Sequence, residues 1–243
     1  MVRFFVNPEE FCDNFFTLTG ENANHAKVLR LRTGDQVMVC DGHGRECICT
    51  ISDISQGQVC LAVQSTQASE NEPVVNVSIY MAFSKGDKFE HVVQKATEIG
   101  AYEIIAFPSA RCVSRPDEKS IAKKLERWKK IAASAAEQSG RGIVPNVLVM
   151  SGYTQALERA LESDKAILLY ENERATTLQM ALEDCNCCSV SLISGPEGGF
   201  DMAEVKQAVD KNIAICTLGR RILRCETAPL CALSAVMYAF GEF

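Results

Sequence analysis

Two glycine-bearing segments in the C-terminal third hold residue types that can do chemistry: Leu192-Ile193-Ser194-Gly195-Pro196-Glu197-Gly198-Gly199-Phe200 and Leu218-Gly219-Arg220-Arg221-Ile222-Leu223-Arg224-Cys225-Glu226-Thr227-Ala228. Glycine lets a backbone approach a ligand that side chains would hold off. Each segment follows an apolar strand-like run, Val190 to Ile193 and Ile213 to Leu218, and open α/β sheets bind ligands at such strand ends. The other reading is a tight strand-to-helix turn at Gly195, Gly198 and Gly199. A phosphate-binding P-loop needs a lysine and a hydroxyl after its last glycine, whereas Gly199 is followed by Phe200 and Asp201. The dinucleotide fingerprint needs glycines at its first, third and sixth positions, and these fall at 195, 198 and 199. A nucleotide hydrolase is therefore disfavoured. Glu197 would repel phosphate, so a cationic or neutral ligand suits the loop better.

The elements that must position these residues divide in two. Up to about residue 66 the chain reads as β: Gln36 to Cys40, Arg45 to Ile51 and Val59 to Val63 are short strands, with Asp41-Gly42-His43-Gly44 as a hairpin turn. Polar Ser65 to Pro73 breaks the pattern and predicts a boundary between domains at 1–70 and 74–243. Beyond it strands alternate with helices: Val75 to Phe83, Phe89 to Ile99, Ile104 to Phe107, a long helix from Asp117 to Ser139, then strands at Ala166 to Tyr170, Val190 to Ile193 and Ile213 to Leu218. Such alternation predicts a mostly parallel sheet covered by helices. Phe89, Val92, Val93, Ala96 and Ile99 fall at helical spacing, as do Ile121, Leu125, Trp128 and Ile131, which marks core or subunit contact. Asp201 with Glu204 is a capping pair that starts a helix directly after the first glycine loop.

Composition narrows the class further. The chain has 243 residues, 47% hydrophobic and 23% charged, enough for a sizeable core. No apolar run reaches the roughly 18 residues of a membrane span, and the opening Met1 to Pro8 is too short and too soon broken for a signal peptide. A soluble, cytoplasmic protein is expected. Among twelve cysteines, Cys47-x-Cys49 and Cys185-x-Cys187-Cys188 lack zinc-ribbon spacing, so no metal is expected. Cys12, Cys40, Cys60, Cys112, Cys216, Cys225 and Cys231 are expected as buried reduced thiols. A net charge of −6 argues against a nucleic-acid partner until its distribution is read. Between Arg111 and Lys130 eight cations face three acids, Arg220, Arg221 and Arg224 form a second cluster, and Lys27, Arg30 and Arg32 a third. Such clusters neutralise phosphates. A solvated helix face is the alternative for the 111–130 run.

The two glycine segments, with Lys85-Gly86-Asp87-Lys88 ahead of Gln94-Lys95-Ala96-Thr97-Glu98-Ile99-Gly100, closely resemble the RsmE-type 16S ribosomal RNA uridine N3-methyltransferases of the SPOUT class, from the N-terminus to residue 240. One departure is Cys225, where the family has threonine, a stronger donor. The resemblance implies a C-terminal α/β domain with a trefoil knot holding S-adenosylmethionine, a small N-terminal PUA-like β-barrel that binds RNA, and a homodimer. It assigns Tyr170, Gly195, Pro196, Glu197, Gly198, Gly199, Leu218, Gly219, Ile222, Leu223 and Arg224 to the methyl donor. Uridine N3 must lose a proton, so Glu226 is a candidate base and Arg224 a candidate clamp on developing negative charge. Glu226 reads equally as a carboxylate favoured by a helix dipole. His25, Lys27, Arg30, Arg32, Arg111, Gln138 and Arg141 are the candidates for contact with 16S RNA or the small subunit, His25 being also readable as an ordinary histidine. A non-catalytic ribosome-assembly protein with the same fold is the remaining alternative.

Overall fold

The computed structural model describes the chain except residues 8, 10–13, 56 and 184, so Cys12 lies outside the described residues. Two compact units emerge, Met1–Glu72 with Ala136–Val144, and Pro73–Ala135 with Pro145–Phe243.

The first unit holds β1 (Val2–Phe5), β2 (Phe15–Leu18), α1 (Gly20–Val28), β3 (Gln36–Cys40), β4 (Arg45–Ser55) and β5 (Gln58–Ala68). Its five strands run in the order β1-β3-β4-β5-β2, antiparallel except for the parallel pair β1 and β3. Alternate residues, among them Phe4, Val37, Val39, Cys47, Cys49, Ile51, Val59 and Leu61, turn inward to one core, as a sheet with one covered face requires. No apolar stripe announces α1, because it seats on the core through Ala23 and Ala26 alone. Strand β5 continues through Ser65–Ala68, which were expected to form the linker; they pair with β4 while their side chains stay exposed, so hydrophobic alternation fades before the ladder does. In the β3–β4 turn Asp41 accepts from the backbone N–H of His43 at 2.8 Å and of Arg45 at 3.0 Å. Residues 136–144 cluster with this unit because the Glu72 carboxylate accepts from the Arg141 guanidinium at 2.7 Å and from the N–H groups of Gly142 and Ile143 at 2.9 and 3.0 Å.

The second unit is an all-parallel sheet of β6 (Asn76–Ala82), β7 (Glu103–Phe107), β8 (Asn146–Val149), β9 (Lys165–Leu169), β10 (Ser189–Ser194) and β11 (Ala214–Cys216), in the order β11-β9-β10-β6-β7-β8. Every residue of β7, and β6 from Val77 on, is buried, the signature of a sheet covered on both faces. The covering helices are α2 (Lys88–Ile99), α3 (Glu118–Ser139), α4 (Tyr153–Ala160), α5 (Leu178–Leu182), α6 (Met202–Asp210) and α7 (Thr227–Ala239). Phe89, Val92, Val93 and Ala96 are the buried face of α2, and Phe89 packs on Trp128 of α3 with ring centroids 4.4 Å apart. The expected capping box is present: Ala203 N–H donates to Asp201, and Glu204 reaches back to the Asp201 N–H at 2.9 Å. Strand β11 is shorter than expected, because Thr217 leaves the ladder to pair with the backbone of Thr176 and Leu178. The cysteine expectations change in part: Cys231 is exposed and Cys60 and Cys225 are half-buried, whereas Cys40, Cys112 and Cys216 are buried thiols, as are Cys47 and Cys49; Cys185 and Cys187 form a disulfide.

Candidate active site

Because the sheet is parallel, β9, β10 and β11 end on one side at Leu169, Ser194 and Cys216, and the loops that follow enclose a cavity of about 430 Å³. That volume suits a cofactor-sized molecule. All the residues assigned to a donor, Tyr170, Gly195 to Gly199, Leu218, Gly219 and Ile222 to Arg224, line it. Lys88, Leu169, Glu171, Ser194, Thr217, Arg221, Cys225 and Ala228 line it too. None of these eight was assigned from the sequence. Lys88 sits in the Lys85-Gly86-Asp87-Lys88 motif, which was noticed without a role; Glu171 had no signal at all.

The first loop is held by its backbone. Gly199 N–H donates to the Pro196 carbonyl at 3.0 Å, and Gly199 has φ +66°, where a Cβ would run into the Glu171 carboxylate. Phe200 then plunges into the core, its ring 5.8 Å from that of Tyr153, and Asp201 starts α6. Arg111 grips the same loop: its guanidinium donates to the Gly198 carbonyl at 3.2 Å and to Asp201 at 3.3 Å. Arg111, a candidate for RNA contact, thus holds this loop while its side chain stays exposed. In the second loop the Thr217 hydroxyl bonds both the N–H and the carbonyl of Gly219.

Two carboxylates at the cavity's edge, Glu197 and Glu226, are paired. Glu197 accepts from the Lys85 N–H at 2.9 Å and from the Lys88 ammonium at 3.0 Å, so it is not the bare negative group that the sequence suggested. Lys88 also lies 3.6 Å from Glu226. Burial pushes the pKa values of Glu197 and Glu226 up, but hydrogen bonds and the Lys88 charge outweigh it and hold both below the usual carboxylate range. Lys88 is correspondingly raised, chiefly by its bond to Glu197. Burial and the neighbouring Glu226 push the Cys225 thiol up to about 12, so it remains a proton donor and points at Glu226 over 3.2 Å. Glu226 occupies the N-cap position of α7 without a side-chain capping bond.

The cations sort by pairing. Arg220, Arg221 and Arg224 are exposed and make no ion pair among the described residues. In the first unit Lys27, Arg30 and Arg32 are likewise exposed, and their side chains have no partner among the described residues; Val28 and Leu29 are exposed between them. Arg30 has φ +56°. Gln138 is exposed near the end of α3. His25 is half-buried, edge-on to Phe4 at 5.7 Å and 3.8 Å from Glu137, whose carboxyl burial pushes up. Arg141 is corrected: only 4% exposed and bonded twice to Glu72, its guanidinium is part of the core and not presented to a partner. In the 111–130 run Arg127 pairs with Glu90 and Lys129 with Glu126, as on a solvated face. Among the described residues no group of three or more His, Cys, Asp or Glu is placed to hold a metal, and no helix is long and apolar enough to cross a membrane.

Residues 70–237 match the RNA methyltransferase domain, and residues 18–64 the RNA methyltransferase PUA domain. Fold and cavity thus define the class, an RNA methyltransferase built on a parallel α/β sheet with an attached PUA domain. The chain is 40% identical over 230 residues to the ribosomal RNA small subunit methyltransferase E of Bacillus subtilis strain 168, covering 92% of this chain and 90% of that one. Its structure is similar to that of the ribosomal RNA small subunit methyltransferase E from Neisseria gonorrhoeae bound to S-adenosyl methionine, with a TM-score of 0.89 and 31% identity over 100% of this chain and 99% of the other. Within the class, the chain belongs to the ribosomal RNA small subunit methyltransferase E family.

Proposed function

We propose that the protein transfers a methyl group from S-adenosylmethionine to N3 of a uridine in the 16S RNA of the small ribosomal subunit. The observation that carries this reading is the cavity itself, where three strand ends bring bare backbone and apolar side chains together beside arginines that have no ion-pair partner among the described residues. The residues fit the donor: Leu169, Leu218, Ile222 and Leu223 offer apolar walls for a flat base, and the glycine loops offer backbone N–H and carbonyl groups to its polar atoms. When bound, S-adenosylmethionine supplies a methyl group on a sulfonium, open to in-line displacement by nitrogen.

The chain's own task is then alignment and charge. Uracil N3 is a weakly acidic imide, and its anion spreads charge onto the two flanking oxygens. Arg224, with Arg220 and Arg221 beside it, stabilises that charge as it develops. Glu226 is a poor proton acceptor, since a base works best with an affinity near the working pH and Glu226 is held below the ordinary carboxylate range. Its contact with Lys88 fits a role in holding the site. Lys27, Arg30 and Arg32 take phosphates and the exposed Val28 and Leu29 lie against bases, outside the helical parts of the RNA.

Two structural readings go with this function. The α7 residues Thr227, Cys231, Ala235 and Tyr238 are exposed on the face of an apolar helix opposite its buried Pro229, Ala232, Leu233, Val236 and Met237, which supports a homodimer with α7 at the two-fold axis. Thr217 pairs inside the β9–β10 connection before α7 returns to pack on α2, β6 and β10, a path that supports a trefoil knot. Work on ribosomal RNA supports a cytoplasmic location. The decisive experiment incubates purified protein with S-adenosylmethionine and either 16S RNA or small subunits, then digests the RNA for mass spectrometry. One 3-methyluridine per RNA is expected; methyl on another atom, or none, overturns the reading.

A further inference from the structure

We infer that Lys88 is a positioning residue of the donor cavity: it latches the Pro196–Gly199 loop to the first turn of α7 by sharing one ammonium between Glu197 and Glu226. The inference rests on the donor-cavity reading above. Three stretches of sequence meet at this nitrogen. Lys88 is the first residue of α2, Glu197 belongs to the loop after β10, and Glu226 leads α7, with contacts of 3.0 and 3.6 Å. Gly86 at φ +65° turns the chain so that the Lys85 N–H also reaches Glu197, at 2.9 Å. The anchor is rigid, since Phe89, Val92, Val93 and Ala96 fix α2 in the core one turn later. Among the described residues neither loop has an equivalent tie to the other: Arg111 holds the first loop to the β7–α3 connection, and Thr217 holds the second loop to itself.

The latch has an electrostatic consequence that mere packing lacks. The charged and titratable groups facing Lys88 are Glu197 from the loop and Cys225 and Glu226 from the start of α7. Without the ammonium, two carboxylates confront each other across the cavity wall, and their mutual repulsion raises the proton affinity of one of them. The separation of the loops then depends on pH. Above that raised value both groups are charged and the loops are pushed apart; as pH falls through it, one proton relieves the repulsion.

Calorimetry of S-adenosylmethionine binding to the full chain between pH 5 and 8 tests this. Wild type should bind with nearly constant affinity. Lys88→Met should raise Kd about tenfold at pH 8, the scale of one lost charge-assisted bond, and recover affinity toward pH 5. Lys88→Arg should restore both the affinity and the flat profile. Wild-type Kd with a flat profile in Lys88→Met overturns the latch. Absence of binding by wild type overturns the donor-cavity reading and the latch with it. If circular dichroism shows Lys88→Met unfolded, Glu197→Met removes the same bond from the other end; it should weaken binding, and an unchanged Kd there overturns the inference.

Discussion

The cavity of the second unit and the exit of α1 in the first both present cations, in opposite states. Around the cavity Lys88 is bonded to Glu197 and Glu226, and Arg111 to Asp201 and the Gly198 carbonyl. Lys27, Arg30 and Arg32 have no such partners among the described residues. What sorts a lysine or arginine into scaffold or ligand contact is therefore its pairing, and the net charge of −6 says little about either. By this criterion Arg220, Arg221 and Arg224 belong with the second kind although they rim the first region. On the proposed function, unpaired positive charge is what each unit would offer to RNA.

Breaking the scaffold should have the largest effect. Arg141→Ala leaves the half-buried Glu72 without its cation and should lower the unfolding free energy by about 3 kcal/mol, measured by urea denaturation of the full chain. The salt dependence of RNA binding should not change. Arg224→Ala tests the opposite class: turnover of bound substrate should fall roughly 10²-fold, measured in single-turnover methylation with saturating RNA and donor. An unchanged rate would remove Arg224 from the chemistry. Gly199→Ala should come next. A left-handed φ costs a side chain about 1–2 kcal/mol, and the added Cβ must displace Glu171, so donor Kd should rise about tenfold while RNA affinity holds. The smallest effect sharpens the comparison most. Arg30→Ala should lower the slope of log affinity against log salt by about 1 and leave donor affinity alone. If Arg30→Ala slowed the chemical step instead, pairing would be a poor guide to role.

Much of this was legible in the residues, for identifiable reasons. The parallel sheet announced itself because β7 and β9 carry continuous apolar runs, Ile104 to Phe107 and Ala166 to Leu169, between helical stripes, and the α6 start because Asp201 and Glu204 stand at capping distance. The glycines of the cavity were visible because small residues at strand ends have few other uses. Helix α1 was hidden because two alanines suffice to seat it, and the tail of β5 because its pairing is carried by backbone alone. Partnerships were the least visible of all. Nothing local tells that Lys88 meets Glu197, 109 positions away, or that Arg141 is engaged by Glu72 rather than offered to RNA. Side-chain type announces a charge; only the fold announces its counter-ion.

The bond between Glu72 and Arg141 also sets a timetable. Strands β1 to β5 are complete by residue 68, yet the carboxylate that follows them finds its guanidinium 69 positions further along. At a synthesis rate of roughly 5–20 residues per second, the nascent chain waits about 3 to 14 s between making one partner and making the other. During that interval the N-terminal sheet exists as an unfinished unit whose closing segment has not been translated, and slow codons between the two would prolong its exposure without altering a single contact of the finished protein.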